Sequence, residues 1–170
     1  MLLPRENVPN GYGTTNQFVI VKGGAARFIE FVKKVFDVQE REAVHTPDRD
    51  GTLIHAEVEL GECTLMVADS KADWPFTPAF IQVYVEDAQE VLNRVQAESG
   101  EVVTRVSKFY GGFLLARFKD PFGNIWWLYQ PDPDEKKYSE SAASTDWHNK
   151  EPSDVYLTIM SAMTSLVAPG

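Results

Sequence analysis

The chain has 170 residues, enough for one domain with a full core or two small halves that share one. With 44% hydrophobic and 24% charged residues its make-up is that of an ordinary globular protein, and 16 basic against 25 acidic side chains leave a net charge of −9, which argues against nucleic acid or an anionic membrane as a partner. A single cysteine, Cys63, allows no internal disulfide, the start has no apolar signal region, and no stretch approaches the ~20 consecutive apolar residues of a membrane span, so a reducing, cytoplasmic setting is expected.

Residues 1–14 carry Pro4, Pro9, Gly11 and Gly13 and read as an irregular lead-in. Residues 17–21 form a short strand, broken by Gly23-Gly24. Residues 25–36 then place Phe28, Ile29, Val32, Val35 and Phe36 at helical spacing. A second strand is expected within 38–46, followed by a turn over 47–51. Residues 52–60 alternate, with Ile54, Ala56, Val58 and Leu60 on one face and His55, Glu57 and Glu59 on the other. Gly61-Glu62 turns the chain into a strand over 63–68, and a loop rich in proline and aromatic residues, Trp74 and Phe76 among them, follows.

The order then repeats. Residues 79–85 read as a strand and 87–99 as a helix, with Asp87 as N-cap, Gly100 as stop signal, and Ala88, Val91, Leu92 and Val95 as the apolar face. A strand over 101–109, a break at Tyr110-Gly111-Gly112 and a closing hairpin over 113–119 and 124–130 complete it. The turn of that hairpin, Asp120-Pro121-Phe122-Gly123-Asn124, is local turn chemistry: proline presets φ, and Gly and Asn tolerate positive φ. Each half is thus strand, helix, strand, strand, strand, and two such units burying one sheet face under a helix can pair into one structure. Laying Gly61 on Gly123 places His55 over Arg117. Beyond Pro131 the chain is polar and broken, until 153–167 offers a serine N-cap and Val155, Ile159, Met163 and Leu166 along one helical side; such a helix has to cover its own sheet or a neighbouring subunit.

In this order and spacing the chain resembles the vicinal oxygen chelate superfamily, the glyoxalase, bleomycin-resistance and dioxygenase fold, over roughly residues 15–130. Within it the likeness is to the PhnB-like group, on Val21-Lys22-Gly23-Gly24-Ala25, Phe28-Ile29-Glu30-Phe31, Gly51 with His55-Ala56-Glu57, Gly61 with Leu65-Met66-Val67-Ala68-Asp69, and Phe109-Tyr110-Gly111. The resemblance implies an α+β fold: two βαβββ modules, about 15–70 and 79–130, whose mixed sheets curl into a cup with helices outside, plus a C-terminal extension over 131–170. Alternation agrees, putting Phe80, Gln82, Tyr84, Trp127 and Tyr129 on the cup side and Ile81, Val83, Trp126 and Leu128 under the helix.

Metal-dependent members of the superfamily hold the ion by residues of the first and last strand of each module. The corresponding positions here are Asn16 or Gln17, Leu65 or a neighbour, Phe80, and Trp127, where the pattern would supply a glutamate. A divalent ion needs three or so N, O or S donors, so no metal and no cofactor are expected, and glyoxalase I or dioxygenase chemistry by the family's usual route is not. The expectation is a small-molecule-binding protein of the bleomycin-resistance type, a homodimer like its family, with a planar or aromatic ligand in the cup. Asn16, Phe18, His55, Glu57, Trp74, Gln82, Tyr84, Tyr110, Arg117, Trp127 and Tyr129 are the candidate ligand contacts. His55 and Glu57 are a hydrogen-bonded polar patch, an acid/base pair, or two donors of an atypical metal site, and Arg117 either bridges to Glu57 or offers a fixed charge to a carboxylate or phosphate. The remaining alternative is a cup plugged by its own side chains, with an assembly role for the tail.

Overall fold

The computed structural model describes residues 2–134 and 151–168, and the chain divides into two compact units that part between Ala79 and Phe80. The first unit runs β1 (Gln17–Val21), α1 (Ala25–Phe36), β2 (Thr46–Pro47), β3 (Leu53–Leu60) and β4 (Cys63–Asp69). Its sheet has the order β1-β4-β3-β2, with β1 parallel to β4 and the other pairs antiparallel. Alternation decides what each strand buries. Val19, Val21, Ala56, Val58, Leu65 and Val67 are sealed on one face, where α1 brings Phe28, Ile29, Val32 and Val35 against β1, β3 and β4. Each such fully buried apolar side chain contributes about 1.5–3 kcal/mol.

The second unit repeats the plan as β5 (Phe80–Tyr84), α2 (Ala88–Ala97), β6 (Glu101–Lys108), β7 (Phe113–Lys119) and β8 (Ile125–Pro131), in the order β5-β8-β7-β6 with β5 parallel to β8. Ile81, Leu92, Val95, Ala116, Phe118, Trp126 and Leu128 form its core, at most 1% exposed. The Asp120 turn is bound from within: its buried carboxylate accepts from the backbone N–H of Phe122 and Asn124, from Asn124 Nδ2 and from Trp126 Nε1, each at 2.9 Å. Trp126 in turn stacks on Phe118, centroids 5.6 Å apart and 8° from parallel. Burial pushes the Asp120 pKa up against those four donors.

Both helices start on a side chain from the far end of their own module. Ala25 N–H donates to Asp69 Oδ1 at 2.6 Å, and Ala88 N–H donates to Gln130 Oε1 at 2.8 Å. The α1 start needs this because its N-cap, Gly24, has φ +111°, a conformation that excludes the Ser, Thr or Asp that would otherwise cap it. Asp87, at the start of α2, accepts from Glu90 N–H as its position in the sequence predicts.

Two expectations change. The strand expected within 38–46 shrinks to Thr46–Pro47 preceded by a 3-10 turn at Glu42–Val44. Residues 39–41 still meet β3, through Arg41 N–H to Glu57 O and Glu59 N–H to Gln39 O, but as an isolated bridge at Glu40 and Val58. The three residues between Gln39 and Ala43, Glu40, Arg41 and Glu42, are all charged and have no apolar face to alternate. The tail helix expected over 153–167 is α3 (Asp154–Thr164), capped by Ser153 and packed on β6 of its own chain. Val155, Ile159 and Leu166 are half-buried and Met163 is 44% exposed, so the apolar side that the spacing predicts is only partly covered. The polar, broken stretch expected between Pro131 and residue 153 falls partly outside the described residues. Among the described residues no helix is long and apolar enough to cross a membrane.

Candidate functional site

Each sheet has a second face, turned away from its helix, and these two faces carry the chemistry. In the first module the register sets Phe18 beside Met66 and Met66 beside Glu57, one row across β1, β4 and β3. Phe18 is half-exposed and its ring tilts against His55, centroids 6.3 Å apart. Glu57, only 4% exposed, is the centre of a polar cluster: its Oε1 lies 3.0 Å from His55 Nε2, and its Oε2 accepts from Tyr12 Oη at 2.8 Å and from Arg41 Nη1 at 3.4 Å. Arg41 also grips Glu59 at 2.6 Å and lies over the Tyr12 ring, 4.9 Å from its centroid. Burial acts to raise the Glu57 pKa, but hydrogen bonds from Tyr12 and His55 and the charge of Arg41 outweigh it and hold the carboxyl below its ordinary range. The Tyr12 hydroxyl, donating to that carboxylate, is pushed the other way.

Tyr12 arrives from the lead-in, which lies across this face: Thr64 Oγ1 donates to Gly11 O at 2.5 Å. Gly11 has φ +83°, and a Cβ there would collide with the Arg41 guanidinium, so only glycine lets the lead-in pass. Asn16, a candidate contact, spends both ends of its amide on Gly13, accepting from its N–H and donating to its carbonyl. Trp74 stands in the loop after β4, 46% exposed.

The second module carries a longer row, Gln82, Trp127, Arg117 and Thr104, across β5, β8, β7 and β6. Phe80 meets Trp127 edge-on at 5.9 Å. At the far end of the strands Tyr84, Tyr129, Phe113, Phe109 and Tyr110 form a ladder of ring contacts between 4.1 and 6.0 Å, with Tyr84 and Tyr110 each at least 60% exposed. Burial, seconded by the neighbouring phenol of Tyr110, raises the Tyr129 pKa. Arg117 is 6% exposed; its Nη1 donates to Val155 O of α3 at 2.7 Å and to Thr104 Oγ1 at 3.3 Å, and its guanidinium lies 5.4 Å from the Trp127 ring centroid. The described hydrogen bonds of Arg117 go to neutral oxygens of its own unit.

The register also corrects the overlay of the halves. Met66 and Trp127 each sit three residues before the side chain that caps their helix, Asp69 and Gln130. Glu57 is opposite Met66, and Arg117 opposite Trp127. Glu57, not His55, is therefore the counterpart of Arg117. The glycine overlay slipped because Leu60 pairs directly with Cys63 across two residues, whereas Lys119 and Ile125 enclose five.

These faces do not fit the metal centre that metal-dependent relatives build. Leu65, a candidate position, is 2% exposed and turned to α1, leaving Met66 on the face in question. In the first module Asn16, Phe18 and Met66 offer one amide oxygen and a thioether, and in the second Phe80, Gln82 and Trp127 offer one amide oxygen, each a poor set for a divalent cation. Among the described residues no group of three His, Cys, Asp or Glu side chains is placed to hold one. Tyr12 and Arg41 are the functional-face residues that sequence reasoning missed; the only trace of Tyr12 is an aromatic between glycines in an otherwise featureless lead-in.

Comparison with known proteins agrees with this architecture. A sequence model described as "Glyoxalase/Bleomycin resistance protein/Dioxygenase superfamily" matches residues 14–128. Uncharacterized protein Mb0911c of Mycobacterium bovis is 32% identical over 123 residues, covering 66% of this chain and 80% of that one, and Uncharacterized protein Rv0887c of Mycobacterium tuberculosis is 32% identical over 123 residues, covering 66% and 71%. Among solved structures, the genomically encoded fosfomycin resistance protein FosX of Listeria monocytogenes superposes with a TM-score of 0.57 at 13% identity, covering 70% of this chain and 93% of that one. TioX of Micromonospora sp. ML1 gives 0.54 at 19%, covering 69% and 98%.

Proposed function

This chain belongs to the Glyoxalase/Bleomycin resistance protein/Dioxygenase superfamily, and we propose that within it the protein is a metal-independent binder of a planar or aromatic small molecule. The observation that carries this reading is the row Gln82, Trp127 and Arg117 with the tyrosine ladder beyond it. Large π faces, two of them well exposed, lie beside a few polar groups. A ligand stacking on Trp127 and Tyr129 would take polar contacts from Gln82 and Arg117. Within the superfamily, the PhnB-like group remains our assignment on its motif pieces.

The first test is elemental analysis of the purified protein beside thermal melts with and without EDTA. We expect no stoichiometric metal and an unchanged melt; stoichiometric zinc, nickel, manganese or iron with a chelator-lowered melt would overturn the reading. A fluorescence titration with aromatic ligands then tests binding through quenching of tryptophan.

A second reading, an enzyme using His55 and Glu57, is favoured by their 3.0 Å contact. It is the weaker, because a carboxylate held low by three donors is a poor base. Activity that survives purification and is lost in His55→Ala with the fold intact would reverse that ranking.

A further inference from the structure

Among the described residues, Arg117 is a charge without a counter-charge. Its guanidinium has five N–H groups; the residue is 6% exposed and, among the described residues, bonds only to a backbone carbonyl and a hydroxyl. Its Nε–H is buried and has no hydrogen-bond partner among them. The protein has 25 acidic residues against 16 basic ones, yet no described carboxylate forms an ion pair with Arg117. Its counterpart Glu57 shows what a completed arrangement looks like, with a cation and two further donors on one carboxylate. A buried ion is tolerated when it is paired and its remaining hydrogen-bonding positions are filled. Here the missing part is an oxyanion.

We propose that Arg117 anchors an anionic oxygen group of the ligand, a carboxylate or a phosphonate or phosphate, on an aromatic body that lies against Trp127. This deepens the function proposed above and rests on it. The Nη1 bonds to Val155 and Thr104 fix one arm of the fork, and Trp127 supports its plane from 5.4 Å. The free Nε–H is the donor left for the incoming oxygen, and it makes a charge-assisted bond in a site already stripped of water. Because the fork is held before the ligand arrives, little side-chain freedom is lost on binding. Lysine could not replace it, since a point charge on a flexible stem has no oriented Nε–H.

The experiment uses the full chain and matched probes: benzoate and phenylphosphonate against neutral benzamide, followed by tryptophan fluorescence and thermal shift. The expected result is that both oxyanions bind at least about tenfold more tightly than benzamide, one charge-assisted hydrogen bond's worth, and that Arg117→Met brings the oxyanions down to the affinity of benzamide for the same variant. Without ligand, Arg117→Met should melt no lower than the parent, since it removes an unpaired buried charge and keeps an unbranched apolar stem as far as the position of Nε. Arg117→Lys, which keeps the charge, should lose most of the preference as well. Equal binding of benzoate and benzamide by the parent protein would overturn the anion site and leave the aromatic binding site standing. No binding of any of the three would overturn both. An Arg117→Met protein that melts well below the parent, with the oxyanion preference intact, would make Arg117 a strut for α3.

Discussion

The same place in the two modules holds an ionised residue of opposite sign, Glu57 in one and Arg117 in the other, both more than nine-tenths buried. The difference is in what surrounds them. Glu57 is enclosed by the lead-in, which brings Tyr12, and by the segment before β2, which brings Arg41; its charge is matched within its own module. Arg117 is reached by α3, which offers a carbonyl and no charge. A module that completes its own electrostatics has made the position structural. A module that leaves it incomplete has kept it open to something from outside.

Four experiments break or sharpen that contrast. The largest effect belongs to Asp120→Ala, which orphans four buried N–H donors in the second module's hairpin and should cost about 4 kcal/mol by chemical denaturation. A loss under 1 kcal/mol would mean that the turn holds itself. Next, Glu57→Ala should cost about 2–3 kcal/mol, because Tyr12, His55 and Arg41 lose their common acceptor; an indifferent protein would dissolve the contrast with Arg117.

The pH dependence of that cluster follows from its sign. The folded-state pKa of Glu57 is lowered, so its stabilisation is fully present above a glutamate's ordinary value of about 4.3 and drains away as pH falls through the lowered folded value. The gap in melting temperature between the parent and Glu57→Gln should be constant above about pH 5 and close in more acid solution. A gap that widens there would contradict the direction given. The smallest effects compare the two helix starts. Asp69→Ala should cost about 1.5 kcal/mol and Gln130→Ala about 0.5–1, since a carboxylate at a helix N-terminus answers both the orphan N–H and the dipole and an amide only the N–H. Asp69 also accepts from Leu53 N–H, which adds to its share.

How much of this was written in the sequence depends on how local the signal is. Strand faces were legible because period-two alternation is a property of neighbours: Trp126 and Trp127 fall on opposite sides as expected, as do Ala56 and Glu57. The Asp87 and Ser153 caps and the closing hairpin were legible for the same reason. What connects distant segments was not. Nothing near Tyr12 announces Glu57, 45 residues on, and nothing around Arg117 announces the carbonyl of Val155, 38 residues later. The pairing of Glu57 with Arg117 by position needed the register, because unequal hairpin turns hid it from a glycine overlay.

The helix caps donated from the far strand have a consequence for how the chain comes into being. The acceptor for Ala25 lies 44 residues downstream and that for Ala88 lies 42 downstream. At a ribosomal pace of about 5–20 residues per second, the first turn of each helix therefore waits several seconds for its partner to be made. Synthesis of the last strand is then the event that both pairs with the first strand and secures the helix, so each module locks on its final residues and the first can lock while the second is still being translated.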